Sequence, residues 1–327
     1  MIIVTGGAGF IGSALIWKLN QLGVTDIFVV DEFGKDDKYK NLLNLKFYDL
    51  IDKEEFGHII SQNDDFLKQN KVDTIFHLGA CSSTTEQDLR YLLINNYEYT
   101  KYLCGISVVN NIRFIYASSA ATYGDGSKGY KDDESKLSEL RPLNKYGYSK
   151  HLFDLWAQRN GYLNSVVGVK YFNVYGPNEY HKDDMRSMVN KAFDQIKETG
   201  KARLFKSDSD SYGDGEQKRD FIYVKDAVDM TLHFWQNRIY NGIYNVGTGE
   251  ASSFNSLVKP VFKAMNLKEN IEYFDMPEVL KGKYQDFTRA DMNKLKQTGY
   301  NKPITKVEDA VIDYVGNYLN TEDPHFK

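Results

Sequence analysis

Cysteine is scarce in this chain: Cys81 and Cys104 are the only two among 327 residues. Two thiols cannot build a disulfide framework, and their spacing is not that of metal ligands, so a reducing compartment, no metal, and small apolar packing roles for both are expected. No charge of one sign accumulates either. The 41 Lys and Arg are interleaved with 45 Asp and Glu, for a net charge of -4. That leaves no basic stripe to neutralise a phosphate backbone and speaks against nucleic acid as a partner. No apolar run approaches the ~20 residues needed to span a bilayer. Met1 runs within four residues into a glycine turn, without room for the regions of a signal peptide. A soluble cytoplasmic protein without membrane attachment is expected.

Aromatic residues, by contrast, are plentiful, with 24 Tyr and 19 Phe, and 42% of the chain is hydrophobic. Such a length supports one large core or two unequal domains sharing a cleft. The stretch "IIVTGGAGFIGSALIWKLNQLGVTDIFVVDE" reads as a short apolar strand, a glycine turn, a helix with Phe10, Leu15 and Leu19 on its apolar positions, and a second strand. The alternation recurs in "VDTIFHLGA" (72–80), a helical stretch around 87–108, and "IRFIYASSA" (112–120). An α/β fold with a Rossmann-type, doubly wound parallel sheet follows. Beyond Asn178 the alternation fails, and "KSDSDSYGDGEQKRD" (206–220) reads as a loop. "GIYNVGTG" (242–249) then resumes a strand pattern. With no internal repeat and no linker, the smaller α/β substrate domain is expected to be interwoven. Residues 1–172 plus a return near 219–250 form the dinucleotide-binding domain in this reading; 173–218 and about 251–327 form the substrate domain.

Gly6, Gly9 and Gly12 fall at three-residue intervals, and Gly7, Gly9 and Gly12 also satisfy the dinucleotide spacing G-x-G-x-x-G. Glycine there permits a tight turn, close approach of a pyrophosphate, and packing of helix on strand, while the helix N-terminus contributes partial positive charge. Asp31 ends the second strand about 20 residues on, which is the required context. An acid at that place ordinarily accepts a hydrogen bond from the ribose 2′-hydroxyl and repels a 2′-phosphate, which favours NAD. Lys38 and Lys53 can contact a 2′-phosphate or stand as solvated surface charges, so NADP and NAD both remain open on local chemistry.

"KYGYSK" (145–150) places Tyr146 four residues before Lys150, on one face of a helix that follows Pro142. A phenol ionises near ~10, too high for a base at neutral pH. A positive charge ~4 Å away, at an effective dielectric of ~20, contributes about 4 kcal/mol, or about three pKa units before desolvation opposes it. Lys150 is therefore expected to lower the Tyr146 pKa. Tyr97 and Lys101 repeat the spacing but sit inside an earlier helix without a hydroxyl partner, and read as surface or packing. Tyr146 instead follows "YASSAATYG", in which Ser118 and Ser119 end a strand, and ligands of such sheets sit at the carboxyl ends of strands.

Glycine turn, strand-end serine and Tyr-x-x-x-Lys, in this order, resemble the extended short-chain dehydrogenase/reductase superfamily. "GACSSTTE" (79–86), "YFNVYGP" (171–177), "HK" (181–182), "RDFIYV" (219–224), "YNVGTG" (244–249) and "KYQDFT" (283–288) extend the resemblance, over nearly the whole chain, to the ADP-glycero-manno-heptose 6-epimerase family of nucleotide-sugar epimerases. The resemblance implies inversion of carbon 6 of ADP-D-glycero-D-manno-heptose through a transient ketone, with NADP held tightly and no net redox, for lipopolysaccharide core biosynthesis. It also implies a homo-oligomer, a pentamer. It assigns Tyr146 and Lys182 to proton transfer on the two faces of the sugar, Ser119 to the reacting oxygen, and Lys150 to Tyr146 and the nicotinamide ribose. It further assigns Phe10, Ile11, Asp31, Glu32, Lys38, Lys53, Leu78, Gly79, Ala80, Cys81, Ser82 and Asn95 to the cofactor. Asn173, Leu204, Phe205, Lys206, Ser207, Arg219 and Tyr284 fall to the substrate.

Four positions depart from the family pattern: Glu32 stands where asparagine is usual, Asn178 replaces the arginine of "GPRE", and Asp183 and Asp184 follow Lys182 in place of small residues. A 4,6-dehydratase needs acids just after the strand-end serine, but Ala120, Ala121 and Thr122 stand there. A UDP-hexose 4-epimerase uses the same Ser, Tyr and Lys and stays open by spacing. A non-catalytic dinucleotide sensor would have no use for the three together.

Overall fold

In a computed structural model the chain is described at residues 1–62, 65–207, 211–275 and 287–327. Seven strands carry its main sheet: β1 (Ile2–Thr5), β2 (Ile27–Asp31), β3 (Asp49–Asp52), β4 (Thr74–His77), β5 (Arg113–Ser119), β6 (Val167–Tyr171) and β7 (Gly242–Val246). Their order is β7-β6-β5-β4-β1-β2-β3, and every pairing is parallel. Parallel strands are covered by helices on both faces, and apolar runs such as "IIVT" and "IFVVD" are buried at every residue. Only β3, at the open edge, exposes its first two residues. This is the Rossmann-type α/β fold expected.

The chain steps outward from β1 to β2 and β3, then returns to place β4 on the other side of β1. That reversal opens a crevice beyond the carboxyl ends of β1 and β4. The first helix, Phe10–Gln21, starts there. Between β4 and β5 the helical segments Leu89–Leu92 and Tyr99–Val109 are joined by a π-turn, Leu93–Glu98. Within this wider turn Asn95 accepts from Lys53 (2.8 Å), and the buried Asn96 accepts from the Cys81 amide (2.9 Å).

After β6 the chain builds a second layer of short pairs. Asn173–Tyr175 runs parallel to Phe221–Tyr223, Ala202–Phe205 parallel to Ile271–Phe274, and Lys218–Arg219 antiparallel to Ser252–Ser253. The helices Met188–Thr199, Phe254–Ala264 and Val307–Tyr314 pack around them. The final residues come back to the start of the chain. Phe326 is buried and stacks on Trp17 of the first helix with ring centres 4.5 Å apart, and the Trp17 indole donates to the Lys327 carbonyl (3.0 Å). No helix among the described residues is long and apolar enough to cross a membrane.

Candidate active site

The glycine turn is a cradle that tolerates no side chains. Gly6 adopts φ +66°, and a methyl there would lie 2.5 Å from the Gly79 amide nitrogen; one on Gly12 would lie 2.0 Å from the Gly6 carbonyl oxygen. Gly7, in contrast, packs against Val29 and Val4, so the triplet facing the crevice is Gly6, Gly9 and Gly12. Asp31 locks this turn from the next strand. Its Oδ2 accepts from the Ala8 amide (2.8 Å), while Oδ1 accepts from the Glu32 amide (2.8 Å) and pairs with Lys38 (2.9 Å). Backbone amides at a helix start with no room for side chains fit a pyrophosphate.

The crevice is a cleft of about 670 Å³. It gathers Gly6, Gly9, Phe10, Ile11, Gly12, Asp31 and Lys38 from the first βαβ unit, and Leu78, Gly79, Ala80, Cys81 and Ser82 from beyond β4. Ser119, Tyr146, Lys150, Asn173 and Lys182 complete it. An adjoining recess holds Glu32, Lys53 and Asn95. Residues drawn from distant stretches of sequence thus line one continuous space.

Tyr146 lies in the first turn of the helix Lys145–Arg159, which Asn144 caps by accepting from the Gly147 amide (2.7 Å). One turn on, the buried Lys150 ammonium donates to the Ala117 carbonyl (2.9 Å) on β5. Burial brings the Lys150 pKa down to about 8, with Asp154 opposing. Burial pushes the Tyr146 phenol above its ordinary value, against a hydrogen bond with Ser119 that lowers it. The lowering expected from Lys150 is not found. With its ammonium turned to Ala117, Lys150 is not among the groups that shift Tyr146, and desolvation outweighs the serine.

Behind these residues lies a network that sequence reasoning missed. Asp154 accepts from Tyr116 (2.9 Å), Ser118 (2.8 Å) and Lys170 (2.7 Å), and neither the Asp154 nor the Lys170 side chain has any exposed surface. Lys170 also donates to Thr122 (2.6 Å), so the strand-end "SSAAT" turn is tied to the tyrosine helix. The signals were there. A lysine inside the apolar run "SVVGVKYF" demands a buried partner, and Asp154 falls one turn after Lys150.

Lys182 sits in the turn Tyr180–Met185. Buried Glu179 accepts from the Gly176 amide (3.3 Å) and from the Ser187 amide and hydroxyl (2.5 and 2.6 Å), which fixes the base of that loop. Asn178, fully buried with φ +75°, donates to Ser13 (2.9 Å) and accepts from the Phe326 amide (3.2 Å); its carbonyl accepts from Asn41 (3.1 Å). Asparagine tolerates this left-handed backbone and can bond on both sides. Asp183 takes φ +44°, ψ -120°, a strained conformation directly after the lysine. Burial lowers the Lys182 pKa, with Glu179 opposing, and its ammonium stands 5.4 Å from the Phe10 ring centre.

On the substrate side, Leu204 and Phe205 line a second, apolar cavity of about 210 Å³, which shares Met188 and Phe254 with the main cleft. Arg219 is buried beside Phe254, its guanidinium 6.0 Å from that ring centre. Lys206 and Ser207 are engaged otherwise: Lys206 pairs with Asp275 (3.0 Å), and the Ser207 amide donates to Asp214 (2.9 Å). Tyr284 lies outside the described residues. His181, from the "HK" motif, also lines the cleft, as do Met185 and Arg186, for which the sequence carried no signal. Among the described residues no group of acids, histidines and cysteines could hold a metal.

Residues 2–247 match the NAD dependent epimerase/dehydratase family. The chain belongs to that family. A protein of Nitratidesulfovibrio vulgaris strain Hildenborough, named ADP-L-glycero-D-manno-heptose-6-epimerase, is 52% identical over 99% of this chain and 100% of its own length. A protein of the same name from Fusobacterium nucleatum is 47% identical over 99% of this chain and 100% of its own. The crystal structure of the Helicobacter pylori protein of that name superimposes with a TM-score of 0.77 at 27% identity, covering 97% of this chain and 95% of the other. A nicotinamide dinucleotide is the cofactor of the family, and the cradle described above fits one.

Proposed function

We propose that this chain is an ADP-glycero-manno-heptose 6-epimerase, an isomerase that converts ADP-D-glycero-D-manno-heptose into its L-glycero epimer. The observation that carries the reading is the cleft itself, with Ser119, Tyr146, Lys150 and Lys182 in one space beside the glycine cradle, in a chain similar along its length to proteins of that name. Gly6, Gly9, Phe10, Ile11 and Gly12 would hold the pyrophosphate of the dinucleotide, and Leu78 to Ser82 would flank it. Lys150 would hold its nicotinamide ribose. A dinucleotide held there in oxidised form would supply a hydride acceptor for carbon 6 and would return the same hydride.

The residues manage the protons. Ser119 holds the C6 oxygen by a hydrogen bond, and Tyr146 removes the hydroxyl proton as the 6-ketone forms. Inversion requires the ketone to present its other face, so a second proton carrier must stand there. Lys182, whose pKa burial lowers with Glu179 opposing, fills that place. Leu204, Phe205 and Arg219 would take the ADP end, with the guanidinium suited to the diphosphate. Residues 1–172 with 219–250 would bind dinucleotide and the remainder substrate. The resemblance adds a cytoplasmic homo-oligomer, a pentamer, and a place in lipopolysaccharide core biosynthesis; light scattering on the purified protein measures the assembly.

Incubation with ADP-D-glycero-D-manno-heptose and, separately, with UDP-hexoses, followed by NMR of the sugar, tests the reading. Inversion at carbon 6 of the heptose is expected. Turnover of only the UDP-sugar would replace this reading with a 4-epimerase.

A further inference from the structure

The ribose end of the dinucleotide cleft carries a pair of acids whose roles the hydrogen bonds separate. Asp31, the acid that the fold would assign to the ribose, is only 8% exposed. Its oxygens are already engaged by two backbone amides and by Lys38. Reading of the ribose passes to the next residue. Glu32 is 57% exposed at its side chain and projects into the recess, where its Oε2 pairs with Lys53 at 2.5 Å. Lys53 is held a second time by the Asn95 carbonyl oxygen (2.8 Å), and Asn95 is itself anchored to the Tyr91 carbonyl (2.9 Å). Lys38 lies 3.6 Å from Asp36 as well as 2.9 Å from Asp31.

Both lysines of the recess thus have carboxylate partners, and the recess sets three carboxylates, Asp31, Glu32 and Asp36, against two ammonium groups. A 2′-phosphate would bring about -1.5 to -2 further charges into this space. It would meet Glu32 directly and could recruit Lys53 only by breaking a pair that exists. A ribose diol, in contrast, needs an acceptor for its hydroxyl hydrogens, and Glu32 retains free lone pairs.

Resting on the assignment of the cleft to a dinucleotide, we propose that Glu32 is the residue that selects the cofactor, and that it selects NAD over NADP. Its carboxylate accepts from the ribose hydroxyls and at the same time keeps Lys53 from acting as a phosphate ligand. This sets the chain apart from the NADP that its resemblance implies, through the residue that directly follows β2.

The test uses the full chain expressed in cells that contain both nucleotides, purified, denatured and analysed by mass spectrometry for what it releases. The wild-type protein is expected to release NAD. Glu32→Asn, exposed and conservative in size, is expected to shift the NADP-to-NAD ratio upward by at least about tenfold, or about 1.4 kcal/mol. Calorimetric titration of both nucleotides into the emptied proteins should give the same reversal, with circular dichroism confirming an unchanged fold. Release of NADP by the wild type, or an unchanged ratio in Glu32→Asn, would overturn the selection while leaving the dinucleotide site in place. A folded protein that neither releases nor binds either nucleotide would refute the site and the selection together.

Discussion

Tyr97–Lys101 and Tyr146–Lys150 share a spacing and nothing else. The Lys101 ammonium stands 4.7 Å from the Tyr97 ring centre and 3.0 Å from the Glu98 carboxylate, a surface arrangement, whereas Tyr146 meets Ser119 in the cleft. Placement relative to the strand ends told the pairs apart in the sequence. What it did not reveal is that Lys150 turns to Ala117, because a side chain's choice of hydrogen-bond partner depends on a carbonyl 33 positions away. Tyr146→Phe should lower turnover by about a hundredfold to ten-thousandfold with dinucleotide still bound, measured by NMR assay and nucleotide release. Lys182→Met should abolish inversion yet leave half-reactions on an oxidisable analogue; retained epimerisation would remove Lys182 from the mechanism. A lysine is charged below its pKa, so if the Lys150 ammonium anchors the cofactor, dinucleotide affinity should fall as pH rises through about 8. A binding constant flat from pH 7 to 9.5 would contradict that role.

At the scale of elements, β1, β2, β4 and β5 were legible because strands buried on both faces write uninterrupted apolar runs. The edge strand β3, "DLID", was not, since it is half exposed and too short to show a period. The π-turn was equally silent; nothing in "LINNYE" marks a register change, although it carries Asn95, which lines the recess. His77 closes β4, buried between the Thr5 and Thr100 hydroxyls (2.7 and 2.9 Å), and burial lowers its pKa to about 3. The unfolded chain, with histidine near ~6.5, therefore binds more protons than the folded one between these values, so stability falls as pH drops below about 6.5. From pH 7.5 to pH 5 the loss should be about 2 kcal/mol from this residue, and urea unfolding of wild type against His77→Gln should show a shallower pH slope in the variant.

Across the whole molecule, the loop bearing Lys182 is fastened to both ends of the chain. Asn178 reaches Ser13 and Phe326, and the Tyr180 hydroxyl donates to the Pro324 carbonyl (2.6 Å). Contacts of this span have no local signature, which is why the sequence showed Lys182 only through resemblance and gave no hint of the tail. Phe326→Ala should destabilise the protein by about 3–5 kcal/mol in urea unfolding, as for other buried aromatics. If Phe326 only filled space, the surviving folded fraction would keep its inversion rate; a lower rate per folded molecule is expected, because the Lys182 loop loses an anchor. The same seat bears on biosynthesis. Trp17 and Lys327 are 310 residues apart. At about 5–20 residues per second, a ribosome leaves the indole uncovered for about 15 to 60 s before its stacking partner emerges. During that interval the nascent chain presents an apolar face on its first helix, and a chaperone that binds such faces would meet this protein early.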